Sequence, residues 1–194
     1  PTNGTALAPM KSRKTSSSTT DRATLYAEGV LSGAIIAGPH VRNACRRHIG
    51  DLKRTDIKFD PAAAARALRF FEERLKLSEG QFENTPFHSQ PPQDFIIGSI
   101  FGWKRLDDTR RFRRAYIEQG KGNGKSPLAG GIGLLGLMAD GEPGAEIYSA
   151  GATKEQAGIL FRDAVKMVDK SPDLDSRLKR SGGPGREFNI AYLK

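Results

Sequence analysis

The stretch Glu118-Gln119-Gly120-Lys121-Gly122-Asn123-Gly124-Lys125-Ser126 ends in Gly-Lys-Ser and alternates glycine with polar residues. Residues 113–118 before it read Arg-Arg-Ala-Tyr-Ile-Glu, whose alternation and β-formers predict a strand. Residues 128–139 after it are rich in Leu, Ile and Ala, with Gly141 just past their end. That composition predicts a buried helix. Strand, glycine-rich turn, Gly-Lys-Ser and helix form the context in which a phosphate-binding P-loop works.

The reason lies in the backbone. Glycines let consecutive N–H groups turn inward without a Cβ clash, and a helix N-terminus adds partial positive charge. Lys125 is expected to reach the β- and γ-phosphates, and the Ser126 hydroxyl to ligate Mg²⁺. Pro127 is compatible with this, because a proline in the first turn removes an N–H that the helix does not use. The pattern G-x-x-x-x-G-K-[ST] puts its first glycine at position 119, where Gln119 stands, while Gly120 and Gly122 supply flexibility nearby.

The chain has 194 residues and a net charge of +9, which favours polyanionic partners such as nucleotides or nucleic acid. It starts at Pro1 rather than Met and is expected to be a piece of something longer. The one cysteine, Cys45, allows no intramolecular disulfide and fits a reducing compartment. No apolar run approaches the length of a membrane span, and the polar N-terminus is no secretory signal. The expectation is a soluble intracellular protein without a membrane partner.

Residues 1–21 carry Ser, Thr, Lys, Arg and Pro and are expected to be a disordered tail. Lys11, Arg13 and Lys14 would suit nucleic acid, but a plain floppy terminus is the reading preferred. A short helix over residues 26–31 should end at Gly33. Pro39 then opens a helix with Val41, Cys45, Ile49 and Leu52 along one face and Arg42, Arg46, Arg47 and Lys53 on the others. Those cations read as a solvated face before they read as a phosphate-contacting stripe. Cys45 and His48 lie one turn apart but lack partners at zinc spacing, so a metal site is rejected. Cys45 is expected to be a small buried apolar residue and His48 to sit at the edge of the packing.

Asp60-Pro61 predicts an N-cap and first helical residue, followed by an apolar stripe of Ala64, Ala67, Leu68, Phe71 and Leu75. Phe70 and Phe71 read as core. Pro91 and Pro92 open a further helix that buries Phe95, Ile96, Ile100 and Phe101. Gln93 lies at its start, less than thirty residues ahead of the loop. Its amide suits the N6/N7 edge of adenine, though spacing alone points to an exposed glutamine. Lys104, Arg105, Arg110, Arg111, Arg113 and Arg114 cluster between Trp103 and Phe112. Two readings stand level there: nucleic-acid binding, or cations that bracket a sheet edge.

Residues 146–150 predict a second strand, and Thr153-Lys154-Glu155-Gln156 a capping box. The helix it opens should bury Ala157, Leu160, Phe161, Ala164, Val165 and Val168 and close near Ser171-Pro172. This β-α-β-α order implies α/β architecture with a parallel sheet. Residues 174–179 read as a short basic helix, 181–185 as a loop, and 188–193 as the start of a third strand.

The order of segments resembles the large terminase subunit of tailed bacteriophages, in its N-terminal part. The resemblance covers residues 26–175. It is carried by Pro92-Gln93, Phe101-Gly102-Trp103-Lys104-Arg105, Arg111-Phe112-Arg113 and Asn123-Gly124-Lys125-Ser126. Further on it is carried by Leu137-Met138-Ala139-Asp140-Gly141-Glu142-Pro143-Gly144-Ala145-Glu146 and by Tyr148-Ser149-Ala150 followed by Gln156-Ala157.

The resemblance implies a RecA-like, additional-strand P-loop ATPase core preceded by a small helical region. The implied division is a tail at 1–21, a helical region at 22–90, and the first half of the ATPase domain at 91–194. It implies ATP and Mg²⁺ as ligands, with Lys121 and Lys125 catalytic and Gln93, Gly120, Gly122, Asn123, Gly124, Lys125, Ser126 and Pro127 holding the nucleotide. Lys121 occupies the family's basic position and is expected to touch the γ-phosphate. Gly120 stands where relatives often carry proline, and Gly122 where a second basic residue is common.

The partners implied are double-stranded DNA, a portal protein, the small terminase subunit and further copies in a packaging ring. The setting implied is the host cytoplasm, and the complete protein is expected to add a nuclease domain. The family's Walker B signature, four apolar residues and Asp-Glu, does not occur before Lys194. Asp173 and Asp175 follow a proline in a polar stretch. The chain is therefore expected to bind ATP without hydrolysing it efficiently. Two other readings are a helicase-like nucleic-acid-dependent ATPase and a non-catalytic basic nucleic-acid-binding module.

Overall fold

The computed structural model describes residues 21–78 and 80–193. The proposed tail, with Lys11, Arg13 and Lys14, lies outside the described residues except for Asp21. The elements are α1 (Arg22–Ser32), α2 (Pro39–Asp51), β1 (Ile57–Phe59), α3 (Pro61–Arg74), α4 (Pro91–Gly102) and β2 (Trp103–Arg105). They continue with α5 (Lys125–Met138), α6 (Lys154–Asp169), α7 (Pro172–Arg177), β3 (Leu178–Ser181) and β4 (Asn189–Tyr192).

Caps explain where the helices begin. The Asp60 carboxylate accepts from the Ala63 N–H at 2.9 Å, and Pro61 follows as the first helical residue of α3. Asp21 accepts from the Thr24 N–H at 2.9 Å to open α1, which ends on left-handed Gly33 with φ of 84°. Thr153 Oγ1 accepts from the Gln156 N–H at 3.3 Å to open α6.

Helix α4 is the wall shared by two cores. Toward α1 and α2, Phe95 joins Ala23, Tyr26, Ala27, Val30 and Cys45. Toward α3, α5, α6 and α7, Ile97 and Phe101 join a larger cluster that includes Leu68, Phe71, Leu128 and Met167. Close approach needs missing side chains. A Cβ on Gly131 would come 2.5 Å from Phe71 and 2.8 Å from Leu75, so α5 can lie against α3 only with glycine there. Next to it, a Cβ on Gly130 would come 3.3 Å from the Ala164 backbone nitrogen, so α6 closes on α5 at nearly the same level. Each glycine costs the helix about 1 kcal/mol relative to alanine. The contacts that it permits offset that cost.

Several expectations are corrected. The chain is a mixed helix and strand fold, but among the described residues both sheets are two-stranded and antiparallel. Phe59 pairs with Trp103 in one, and Leu178 with Tyr192 in the other. Residues 113–118 and 146–150 form no strand. A strand exists through its ladder, and no described strand lies beside either segment to take its N–H and C=O groups. Tyr116 and Tyr148 accordingly stand 88% and 82% exposed. The third strand does form at Asn189–Tyr192, but as the return arm of a hairpin. The basic helix at 174–179 ends at Arg177 and gives way to β3.

The buried face of α2 also differs. Cys45, His48 and Asp51 turn inward, while Val41 and Leu52 are 39% and 43% exposed. His48 is buried because its ring is fully partnered. Trp103 Nε1–H donates to His48 Nδ1 at 3.0 Å, and His48 Nε2 lies 2.9 Å from Thr24 Oγ1. The indole can only donate, which assigns the remaining ring proton to Nε2. Thr24 in turn donates to Asp21 at 2.6 Å. Burial pushes the His48 pKa down, with Arg111 and Arg47 adding to the effect against Asp21 and Asp51.

Candidate nucleotide site

The loop sits where the sequence places it, in front of α5. Gly122 and Gly124 have φ of 86° and 70°, a region in which a side chain would be strained, and Gly124 is the N-cap of α5. The Leu128 N–H closes the first helical turn on the Gly124 carbonyl at 3.0 Å. Pro127 fits within that turn without loss of a bond. A Cβ on Gly120 would come 3.3 Å from Asn123 Nδ2, so these two residues brace the loop across its width.

Lys125 folds over its own loop. Its Nζ donates to the carbonyls of Gln119 and Gly120 at 2.5 and 3.1 Å. Beside it opens a cavity of about 510 Å³ lined on the loop side by Lys121, Gly122, Gly124, Lys125, Ser126 and Pro127. That volume lies within the range of about 300–1,000 Å³ usual for small-molecule sites. Backbone turned by two left-handed glycines, a helix N-terminus, a lysine and a hydroxyl suit a polyphosphate chain and its cation. The residues present fit Mg²⁺-nucleotide, and the Ser126 hydroxyl is of a type that could hold the ion.

Gln93 is not the exposed glutamine that spacing suggests. It is buried in the first turn of α4, where its Oε1 accepts from the Gln90 N–H at 2.9 Å. Its Nε2 faces the loop, 3.2 Å from where a Gly124 Cβ would stand. Next to it, burial raises the pKa of the Asp94 carboxyl, against hydrogen bonds from Ser89 and Arg22. Arg22 Nε lies 2.9 Å from Asp94 and its Nη1 2.5 Å from Glu72, which ties α1 to α3 and α4.

Residues 91–181 match the family described as "Terminase large subunit, ATPase domain". This region is similar to the ATPase domain of large terminase subunits. The chain is also 30% identical over 110 residues to "Terminase, large subunit" of Enterobacteria phage HK97, an alignment covering 56% of this chain. It spans about one fifth (21%) of that relative's length. No solved structure matches.

Within the matched region, the aromatic-basic cluster is used largely on itself. The Arg111 guanidinium lies 5.0 Å from the Trp103 ring centroid and 4.8 Å from that of Phe112, and its Nη1 is 2.6 Å from Asp51. Arg110 reaches Asp140 at 3.0 Å and covers Phe101. Arg113 and Arg114 are exposed. Among the described residues no cluster of three or more metal-binding side chains occurs. Asp173 pairs with Arg74 at 2.6 Å and Asp175 with Arg180 at 2.5 Å, so both carboxylates are committed to ion pairs. No described helix is long and apolar enough to cross a membrane.

Sequence reasoning missed the far wall of the cavity. Ile159, Arg162, Asp163 and Lys166 of α6 line it. Their i, i+3, i+4, i+7 spacing marks one helix face, visible in the sequence once the apolar face is set aside.

Proposed function

We propose that residues 118–126 are a P-loop that binds Mg²⁺-ATP, and that the complete protein hydrolyses ATP to drive viral double-stranded DNA into a procapsid. The observation that carries this reading is the loop itself. Two left-handed glycines lead into α5 with Lys125 and Ser126 beside a cavity, inside a segment matched by the terminase ATPase family.

In this reading Lys125 leaves the Gln119 and Gly120 carbonyls for the β- and γ-phosphates, and the Ser126 hydroxyl holds Mg²⁺. Lys121 reaches the γ-phosphate. Gly120, Gly122, Asn123, Gly124 and Pro127 shape the cradle, and Gln93 meets the adenine from the α4 side of the loop. In the complete protein the RecA-like parallel sheet would take residues 113–118 and 146–150 as strands. Ile147 supports this, since it already packs over Gly133 and Gly136 of α5, 3.5 and 3.3 Å from their Cβ positions. A tail, a helical region to residue 90 and the ATPase half from residue 91 remain the proposed division. Portal protein, small terminase subunit and sister copies in a ring are the proposed partners, in the host cytoplasm, with a nuclease domain elsewhere in the complete protein.

The test is DNA-stimulated ATPase activity and packaging by the full-length protein with and without Lys125→Ala. Loss of both activities is expected. Full turnover in the variant removes the loop from the mechanism, and strand separation in place of packaging would favour a helicase-like motor.

A further inference from the structure

We propose that Arg162 of α6 is a contact for the terminal phosphate of the nucleoside triphosphate, reaching it from the wall opposite the loop. This rests on the P-loop reading above. Three observations lead to it.

The first is position. Arg162 lines the same cavity as Lys121, Lys125 and Ser126, and the cavity's lining holds four cations against the single carboxylate of Asp163. Such a balance selects a polyanion. The loop's lysine and backbone grip the chain of phosphates from one side, so the far wall meets its outer end.

The second is rigidity. A Cβ on Gly130 would come 3.3 Å from the Ala164 nitrogen and 3.4 Å from the Leu160 carbonyl oxygen. Helix α6 therefore rests on α5 backbone to backbone, one turn beyond the loop. The gap between loop and far wall is set by main chain rather than by flexible side chains, as a preorganised charge site needs.

The third is availability. The Arg162 guanidinium lies back along its own helix, its Nη2 only 3.5 Å from the Glu155 carbonyl and its Nη1 2.6 Å from the Gly158 Cβ position. That hydrogen bond is long and its acceptor neutral, and the Glu155 carboxylate that also attracts the guanidinium is exposed, where solvent screens the charge. A phosphate oxygen offers a shorter, charge-assisted bond, and the guanidinium fork can take two oxygens at once. Exchange of the carbonyl for a phosphate is favourable, and Arg162 is exposed enough to make it without disturbing the core.

The experiment titrates Mg²⁺-ATP and Mg²⁺-ADP separately into the 194-residue chain and into its Arg162→Ala, Arg162→Lys and Lys125→Ala variants. Arg162→Ala is expected to weaken ATP about tenfold or more and to leave ADP within about twofold, with Arg162→Lys recovering part of the loss. Equal loss for both nucleotides, or no loss for either, overturns the proposal. If the parent chain binds ATP, Lys125→Ala does not, and Arg162→Ala binds like the parent, this proposal fails and the P-loop reading stands. If the parent chain binds neither nucleotide, both fall. Unchanged nucleotide affinity with weakened, salt-sensitive binding of duplex DNA would assign Arg162 to the DNA backbone and overturn the proposal as well.

Discussion

The side-chain amide of Gln93 stands against the backbone of Gly124: a Cβ on that glycine would come 3.2 Å from Gln93 Nε2. One residue thus joins the first turn of α4, through its bond from the Gln90 N–H, to the glycine that opens α5. Gln93→Ala removes both links and is expected to weaken Mg²⁺-ATP and to cost roughly 1 kcal/mol of stability. Gln93→Glu keeps the acceptor for Gln90 but sets a carboxylate beside the glycine loop. Nucleotide affinity, read by calorimetry, should fall in the order parent, Ala, Glu. Glu binding as tightly as Ala would separate this side chain from the loop's ligand.

The packing of α5 on α3 gives a second expectation. Gly131→Ala pushes a methyl to within 2.5 Å of the fully buried Phe71 and should destabilise the chain by about 1–3 kcal/mol in urea unfolding. Gly133→Ala is the internal control. Its Cβ meets Ile147 at an ordinary 3.5 Å, so the gain in helix propensity should leave stability unchanged or raised by up to about 1 kcal/mol. Equal losses at the two positions would mean that chain entropy rather than contact governs both.

His48 supplies a pH dependence. Its pKa is lowered by burial, from an ordinary value of 6.5, so the unfolded chain binds the proton more readily than the folded one. The stability it contributes is fully present above pH 6.5 and is lost as pH falls from there through the depressed folded value. At pH 5.5 the loss from this one group is at most about 1.4 kcal/mol. Urea unfolding at pH 7.5 and 5.5, followed by the fluorescence of the single tryptophan, Trp103, should show it. His48→Gln should flatten that dependence. A parent stability that is level across this range would contradict the neutral, doubly bonded ring.

Local chemistry was legible in the sequence wherever a few adjacent residues decide it. Asp60-Pro61 and Thr153 mark helix starts because a cap needs only its own first turn. The glycine loop and α5 were legible for the same reason. The lack of strands at 113–118 and 146–150 was not, because β-formers specify a willingness to pair and not the neighbour that does it. The inward turn of α2 escaped because His48 counts as polar by residue type. The Trp103 indole and Thr24 hydroxyl, distant in sequence, partner both ring nitrogens and make its burial favourable. The far wall of the cavity escaped likewise, since Gly130 sets its approach through a contact with Ala164.

In the proposed function Lys125 and its loop hold the phosphates of a nucleotide. Calorimetric titration of Mg²⁺-ATP into this chain and into Lys125→Ala tests it most directly. The expected result is saturable binding by the parent chain that is lost in the variant. Equal binding by both, or none by either, would contradict the claim.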